Sequence, residues 1–268
     1  MSEGPRSSSV FDAPGLRAFF AAIQFLTRLP VPGGHDLPDA TRAGDVRRGV
    51  IYFPLVGAVI GALTPGALWA YAHVLPFPVA VLAALAFEAA LTGALHEDAV
   101  ADFCDAFGGG WTRDDVLRIL NDSRIGSFGV MGLGLAVALR ASGLVVTGDL
   151  WTATIALVVS GALGRLVVVA LMAMVAPVEA REGLSKAVGQ DVTLGSVIVA
   201  ALLIAPVLII AARHDAIALV SVSVVLVSFV VWLKSYVMGR IGGVTGDCLG
   251  FAAYIGILVA TLAFARLH

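Results

Sequence analysis

The chain has 268 residues, of which 59% are hydrophobic and only 13% are charged, whereas a soluble domain usually carries about 25% charged residues to cover its surface. Its 17 basic and 19 acidic residues give a net charge of −2, so it lacks the basic excess that nucleic-acid binding requires. This composition excludes an ordinary soluble enzyme and a nucleic-acid-binding protein, and it indicates a protein embedded in a lipid bilayer.

The first 49 residues are predicted to lie outside the bilayer, on its cytoplasmic side. Residues 1–13 are rich in Ser, Gly and Pro, which is typical of a disordered tail. Apolar side chains recur at helical spacing in residues 16–29, but Arg17 and Arg28 prevent insertion of this segment as a span. We therefore predict an amphipathic helix at the membrane interface, and no cleaved signal peptide.

The remainder, residues 50–268, is predicted to be an all-α bundle of transmembrane helices. A hydrocarbon core of about 30 Å is crossed by roughly 20 apolar residues in a helix. Segments of about that length give a polytopic protein of about seven spans. The predicted spans are Val50–Val74, Phe77–Leu95, Phe128–Thr147, Trp151–Ala176, Leu194–Ala211, Ala216–Leu233 and Cys248–Ala265.

Lys and Arg gather in alternate loops between these segments, and such loops stay in the cytoplasm. The pattern predicts a cytoplasmic N-terminus and a C-terminus on the opposite side. Six arginines precede the first span, and the basic residues of the loops after the second, fourth and sixth spans are Arg113, Arg118 and Arg124, then Arg181 and Lys186, then Lys234 and Arg240.

The loop at residues 96–126 carries an acidic helix. Asp98, Asp102 and Asp105 recur at helical spacing, so a helix places their carboxylates on one face. Carboxylate oxygens are the ligands that hard divalent cations prefer, and a cation would relieve the repulsion between them. The pattern predicts a metal-binding helix, with a solvated acidic helix as the alternative. The neighbouring His96 is a candidate base, ligand or hydrogen-bond partner.

The same loop continues with a second helix and a candidate phosphate-binding segment. Thr112 and Asp115 have the spacing of a capping box, which predicts the start of a short helix. Ser123 and Arg124 follow it, and a guanidinium binds phosphate through two parallel N–H groups. The alternative for Arg124 is an ordinary basic anchor at the membrane surface.

A second polar segment, residues 239–250, is rich in glycine and leads into the last span. Glycines let a ligand approach the backbone closely, and a helix N-terminus favours an anion. Asp247 is predicted either to stabilise the helix end or to join the metal site. Zinc binding by His96, Cys104 and Cys248 is disfavoured, because the cysteines lack the spacing of a zinc finger.

Three charged residues, Glu88, Arg140 and Arg165, fall inside the predicted spans. An ionised group in hydrocarbon costs at least about 2.5–3.5 kcal/mol. We therefore expect all three side chains to face the interior of the bundle, where a structural ion pair is one way to compensate their charge.

These polar segments resemble, in order, the signature of the cobalamin synthase family, the adenosylcobinamide-GDP ribazoletransferases. They cover nearly the whole chain, which makes the resemblance specific. The family pattern has glycine where Ala99 and Ala106 stand here, and glutamate where Tyr254 stands. The segments that carry the resemblance are Phe25–Pro30, Phe53–Gly57, Leu95–Asp105, Ile119–Gly126, Arg181–Leu184 and Gly242–Gly250.

The resemblance implies the last step in assembling the nucleotide loop of cobalamin, at the inner membrane of a bacterium and with the active site facing the cytoplasm. A ribose hydroxyl of α-ribazole, or of its 5′-phosphate, attacks the phosphoryl group of adenosylcobinamide-GDP. GMP is released, and the product is adenosylcobalamin or its 5′-phosphate.

The resemblance also implies roles for individual residues. Asp98, Asp102 and Asp105 would bind Mg²⁺, and one of them would accept the hydroxyl proton. Asp247 would complete the metal site or orient the acceptor, with His96 as a further candidate base. The residues expected to bind substrate are Asp122, Ser123, Arg124, Thr245 and Gly246.

Two other classes of membrane protein are alternatives to this interpretation. A CDP-alcohol phosphotransferase would use similar metal chemistry, but its signature requires an arginine that is missing between Asp98 and Asp105. A transporter would distribute polar residues along a path through the spans, whereas here they concentrate on one side of the membrane.

Overall fold

The computed structural model describes residues 14–31, 39–178 and 191–265. These residues form eleven α-helices and a 3₁₀ turn, with a single β-bridge between Pro177 and Val244, so the prediction of an all-α fold is confirmed. The predicted tail at residues 1–13 and the family-like segment at residues 181–184 lie outside the described ranges.

The helices are numbered in chain order, and a 3₁₀ turn at Val50–Tyr52 joins the second to the third. They are α1 (Pro14–Leu26), α2 (Asp39–Gly49), α3 (Phe53–Ala72), α4 (Phe77–Thr92), α5 (Leu95–Gly109), α6 (Arg113–Ile119), α7 (Ser127–Val146), α8 (Leu150–Met174), α9 (Leu194–Leu203), α10 (Ala205–Ile241) and α11 (Gly246–Phe264).

Helix α8 is the centre of the bundle and packs between α3 and α11. The contact with α3 depends on glycines, because a side chain on Gly57 would overlap the carbonyl group of Gly161. One turn further along α3, a side chain on Gly61 would overlap the carbonyl group of Leu157. Small residues let membrane helices approach closely enough to gain dispersion contacts, and here they fix how α8 sits against α3.

Five of the described helices are long and apolar enough to cross a membrane, or six if one bent pair is counted as a span. The bent pair is α4 and α5, which meet at 90°. The predicted second span therefore ends at Thr92 instead of Leu95, because Gly93 and Ala94 adopt left-handed conformations with φ of 68° and 55°. A left-handed residue stops a helix, and the chain leaves in a new direction.

The predicted fifth span is also divided. The chain breaks at Ile204 between α9 and α10, and α10 has a second break at Asp215, whose φ and ψ are −153° and 94°. The Asp215 carboxylate accepts a hydrogen bond from the Ala218 N–H at 2.8 Å, as an N-cap does. This second break lies between the predicted spans Leu194–Ala211 and Ala216–Leu233, but the count of seven spans is not confirmed.

Contacts between loops show which of them lie at the same end of the bundle. At one end the ring of His214 stacks on that of Phe264, with centroids 6.5 Å apart, and His214 also lies near Asp149. At the other end Arg240 donates to the Gly110 carbonyl at 2.5 Å, and Arg113 donates to that of Ile241 at 3.2 Å. Alternate loops thus meet at the same end, as the basic residues predict.

A buried ion pair joins the bundle at the level of the spans. Arg140 of α7 donates to both carboxylate oxygens of Glu88 of α4, at 2.9 Å each. Thr64 of α3 donates to the same carboxylate at 2.9 Å, and the Arg140 guanidinium lies 5.9 Å from the ring centroid of Tyr254 on α11. Glu88, Arg140 and Arg165 are all less than 5% exposed, which confirms that they face the interior.

Two reporter fusions determine the number of crossings, given a cytoplasmic N-terminus. For seven spans, a reporter near Gly110 reads as cytoplasmic and a reporter after His268 reads as external. Six spans would place both reporters in the cytoplasm, and five would place both outside. We expect the first result, because it agrees with the basic loops and with the loops that share an end of the bundle.

Breaking the buried ion pair should destabilise the protein strongly. Arg140→Met leaves the Glu88 charge buried without its partner, and we expect a loss of about 3–5 kcal/mol in the free energy of unfolding. Adding Glu88→Gln to that variant should recover most of the loss. Thermal unfolding in detergent measures both effects, and a double variant no more stable than Arg140→Met would argue against the pairing.

Candidate active site

A cavity of about 160 Å³ lies among α1, α3, α5, α8 and the start of α11. Apolar side chains form most of its wall, and polar groups converge on it from three helices. The polar side chains are those of His96, Asp98, Arg165 and Asp247. Gly246, the first residue of α11, also lines the cavity.

Helices α5 and α11 bring two aspartates to this cavity. Asp98 lies in the first turn of α5, and Asp247 lies in the first turn of α11. The helices touch where Ala99 faces Gly250, since a side chain on Gly250 would overlap the Ala99 methyl group. A glycine at position 250 thus leaves room for the Ala99 methyl group on the facing helix.

The glycine-rich segment before α11 is held in place by backbone and side-chain bonds. Val178 donates to the Val244 carbonyl at 3.0 Å, and Val244 donates to that of Ala176 at 3.1 Å. The Thr245 hydroxyl accepts a hydrogen bond from the Cys248 N–H at 3.3 Å and so caps α11. Thr245 therefore positions the helix start beside the cavity, although it does not line the cavity itself.

The basic side chains of the cavity are more deeply buried than its carboxylates. Asp98 is exposed and Asp247 is half-buried, whereas His96 and Arg165 are 5% and 1% exposed. Both ring nitrogens of His96, and Nε and Nη2 of Arg165, have no hydrogen-bond partner among the described residues. Buried polar groups are normally paired, so these atoms are available to a ligand.

Asp105 is buried and contacts the start of α7. Its two carboxylate oxygens accept hydrogen bonds from the N–H groups of Gly126 at 2.6 Å and Gly129 at 2.7 Å. These bonds cap the N-terminus of α7 and fasten it to α5. Asp105 thus has a capping role in this fold, and its role as a metal ligand stays a prediction.

The structure does not gather the predicted metal ligands into one cluster. Asp102 is half-buried and lies outside the lining of the cavity. Across the described ranges, no three His, Cys, Asp or Glu side chains come together as a metal site. Asp98 and Asp247 are the two carboxylates that line the same cavity.

The predicted phosphate-binding segment lies on the surface loop between α6 and α7. Arg124 Nη2 lies 2.7 Å from Asp122 Oδ2, and Arg124 Nε donates to Oδ1 at 3.0 Å. These bonds lower the pKa of Asp122 to about 2. Arg124 and Ser123 are exposed and do not line the cavity, so their contact with substrate stays a prediction.

The sequence motifs do not identify Arg165, which lines this cavity. In the sequence it stands out only as a charged residue inside a predicted span, and the motifs point to Arg124 instead. The signal available in the sequence was the cost of an intramembrane arginine, which marks a functional position when no acidic partner accounts for it.

Residues 18–265 match the family described as cobalamin-5-phosphate synthase. Three similar proteins are each called adenosylcobinamide-GDP ribazoletransferase. The one from Shewanella frigidimarina is 35% identical over 90% of each chain, and the one from Ralstonia nicotianae is 36% identical over 89% of this chain and 91% of its own. The third, from Azorhizobium caulinodans, is 38% identical over 92% of this chain and 96% of its own. No solved structure matches the chain.

Asp105→Asn should lower stability, because one carboxylate oxygen is replaced by an amide that faces a backbone N–H. A hydrogen bond to a charged group contributes about 1.5–3 kcal/mol, and we expect a loss on that order in the free energy of unfolding. Thermal unfolding in detergent measures it. Asp114→Asn, at a side chain that is 94% exposed, is the control that should unfold like the parent. An unchanged unfolding temperature in Asp105→Asn would contradict the capping role.

Arg124→Gln should raise the pKa of Asp122 from about 2 towards the ordinary value near 3.9. A depressed carboxyl pKa adds stability above pH 3.9 that is lost as the pH falls through 2, so the variant should lose this contribution above about pH 4. Carboxyl ¹³C titration measures the pKa. An Asp122 pKa unchanged by the substitution would show that Arg124 does not stabilise its charge.

Proposed function

The chain belongs to the cobalamin-5-phosphate synthase family, and we propose that it is an adenosylcobinamide-GDP ribazoletransferase. It transfers the cobinamide phosphate moiety of adenosylcobinamide-GDP to α-ribazole or its 5′-phosphate. A ribose hydroxyl oxygen bonds to the phosphorus that is joined to cobinamide, and the bond from that phosphorus to the oxygen of the departing GMP breaks. GMP leaves with the electron pair, and the hydroxyl proton passes to a base.

The observation that carries this proposal is the convergence of Asp98, Asp247 and Arg165 on one cavity. Phosphoryl transfer depends on positioning and charge neutralisation more than on covalent chemistry by the protein. Carboxylates that hold a cation, and a guanidinium that binds phosphate, are the groups that supply both. The cavity combines them within a single space beside a helix N-terminus.

The carboxylates of the cavity are suitable ligands for Mg²⁺. This ion is usually held by one or two carboxylates together with substrate phosphates, so it does not require a preformed cluster of three protein ligands. Asp98 and Asp247 are the two residues that would hold it, and Asp102, one turn further along α5, is a third candidate. When bound, Mg²⁺ would neutralise charge on the diphosphate and on the departing phosphate of GMP.

The chain's own residues would bind the diphosphate and accept the proton. The N-terminus of α11, at Gly246, directs N–H groups towards a bound anion, and its position depends on the Thr245 cap. His96 has two unpartnered ring nitrogens, and one of them would accept the hydroxyl proton. Asp98 is the second candidate for that proton, because it lies on the exposed side of the same cavity.

The proposal includes a location at the inner membrane of a bacterium, with the cavity facing the cytoplasm. The cavity lies at the start of α5 and of α11, and both helices follow loops on the side predicted to be cytoplasmic. Both substrates and GMP are water-soluble, so a cytoplasmic opening would let them enter and leave without crossing the bilayer.

The assay uses purified protein with adenosylcobinamide-GDP, α-ribazole and Mg²⁺, and it follows GMP and adenosylcobalamin. Removing Mg²⁺ with EDTA should stop turnover. Asp98→Asn and Asp247→Asn should each lower kcat at least about a hundredfold, or roughly 3 kcal/mol in the barrier, because each removes a charged oxygen ligand. Asp114→Asn, on the same acidic loop but outside the cavity, should match the parent.

Retention of a tenth of parental turnover by Asp98→Asn and by Asp247→Asn at saturating Mg²⁺ would contradict the proposed metal site. Parent protein that forms no GMP would contradict the transferase function itself. Replacing α-ribazole with its 5′-phosphate in the same assay, and comparing kcat/KM, identifies the preferred acceptor.

A further inference from the structure

Arg165 is a buried cation without a close anionic partner in the described part of the chain. Its Nη1 makes only a 3.4 Å contact with the Gly161 carbonyl, and its Nε and Nη2 have no hydrogen-bond partner. An unpaired charge inside a membrane protein is costly to keep. Such a residue is therefore best explained by a ligand that compensates it when bound.

Glu88 and Glu97 act on the Arg165 charge, but neither forms a hydrogen bond or salt bridge with it in the described part of the chain. Both oxygens of Glu88 accept hydrogen bonds from Arg140, and one of them also accepts a bond from Thr64. Glu97 is the other acid whose charge acts on Arg165. Its buried Oε2 has no hydrogen-bond partner, so that oxygen is not bonded to Arg165.

Arg165 lines the cavity, so an anion bound there would contact its guanidinium. His96 lines the same cavity with two unpartnered ring nitrogens, and α11 begins there at Gly246 and Asp247. A helix N-terminus favours negative charge, and a guanidinium binds phosphate through two N–H groups. The cavity of about 160 Å³ has room for a phosphate group beside Arg165.

We propose that Arg165, His96 and the N-terminus of α11 form an anion subsite at the buried end of this cavity, and that it binds a phosphate group. The source of the phosphate rests on the proposed transferase function, which supplies it as the diphosphate of adenosylcobinamide-GDP. A phospholipid headgroup carries the same chemistry, and the experiment below separates the two sources.

The first test compares the unfolding temperatures of the parent and of Arg165→Met without ligand. Arg165→Met removes the charge and keeps much of the volume, so it removes an uncompensated desolvation cost. In maltoside detergent with EDTA, this variant should unfold at a higher temperature than the parent. A lower unfolding temperature would show that Arg165 is a structural cation, and it would overturn the proposal.

Inorganic diphosphate is the probe for the second test, again with EDTA present. It should raise the unfolding temperature of the parent and leave that of Arg165→Met unchanged. Arg165→Lys keeps the charge but not the planar pair of donors, so its diphosphate affinity should fall on the order of tenfold. Arg213→Met, at an exposed arginine near the other end of the bundle, should respond like the parent.

Equal responses of the parent and Arg165→Met, or no response by the parent, would overturn the proposal. Short-chain phosphatidylglycerol, added without diphosphate, tests the other source. If it stabilises the parent but not Arg165→Met and also blocks the diphosphate response, the subsite binds lipid and its role in substrate binding is overturned.

These measurements require no metal, acceptor or turnover. A parent that binds diphosphate through Arg165 but forms no GMP would contradict the transferase function and leave the subsite intact. A parent that forms GMP while Arg165→Met binds diphosphate normally would contradict only the subsite.

Discussion

Hydrocarbon cannot hydrogen-bond to a polar group, so each charge that this chain places inside its bundle requires a partner from the protein or from a ligand. Glu88 and Arg140 form an ion pair that connects α4 to α7, with Thr64 of α3 as a further donor, although Arg140 Nε has no hydrogen-bond partner. Arg165 lies in the same interior without such a partner. The contrast between the two arginines separates a group that stabilises the fold from one that is available for binding.

The same constraint explains where the candidate site lies. Irregular backbone is tolerated only where its groups are paired, and the glycine-rich segment before α11 is paired by the bridge between Pro177 and Val244. The left-handed residues Gly93 and Ala94 turn α5 away from α4, so that Asp98 reaches the start of α11. The cavity therefore forms at the end of the bundle, where carboxylates remain near water while Arg165 is buried.

Residue periodicity predicts the elements of this fold better than it predicts their partners. Long apolar runs predict α3, α7, α8 and α11 correctly, because a membrane span needs little more than length and composition. The equal spacing of Asp98, Asp102 and Asp105 predicts a shared helix face but not what packs on it. The N-terminus of α7 meets Asp105, whereas α11 meets the start of α5. Such tertiary contacts also decide that Arg140, and not Arg165, pairs with Glu88.

An experimental structure of the protein with adenosylcobinamide-GDP bound, without the acceptor so that no transfer takes place, tests the central claim most directly. The account predicts that the diphosphate lies in the cavity between α5, α8 and α11, with a phosphate oxygen about 3 Å from Arg165 and the carboxylates of Asp98 and Asp247 on its solvent side. A diphosphate bound instead at Ser123 and Arg124, with the cavity free of substrate, would contradict it.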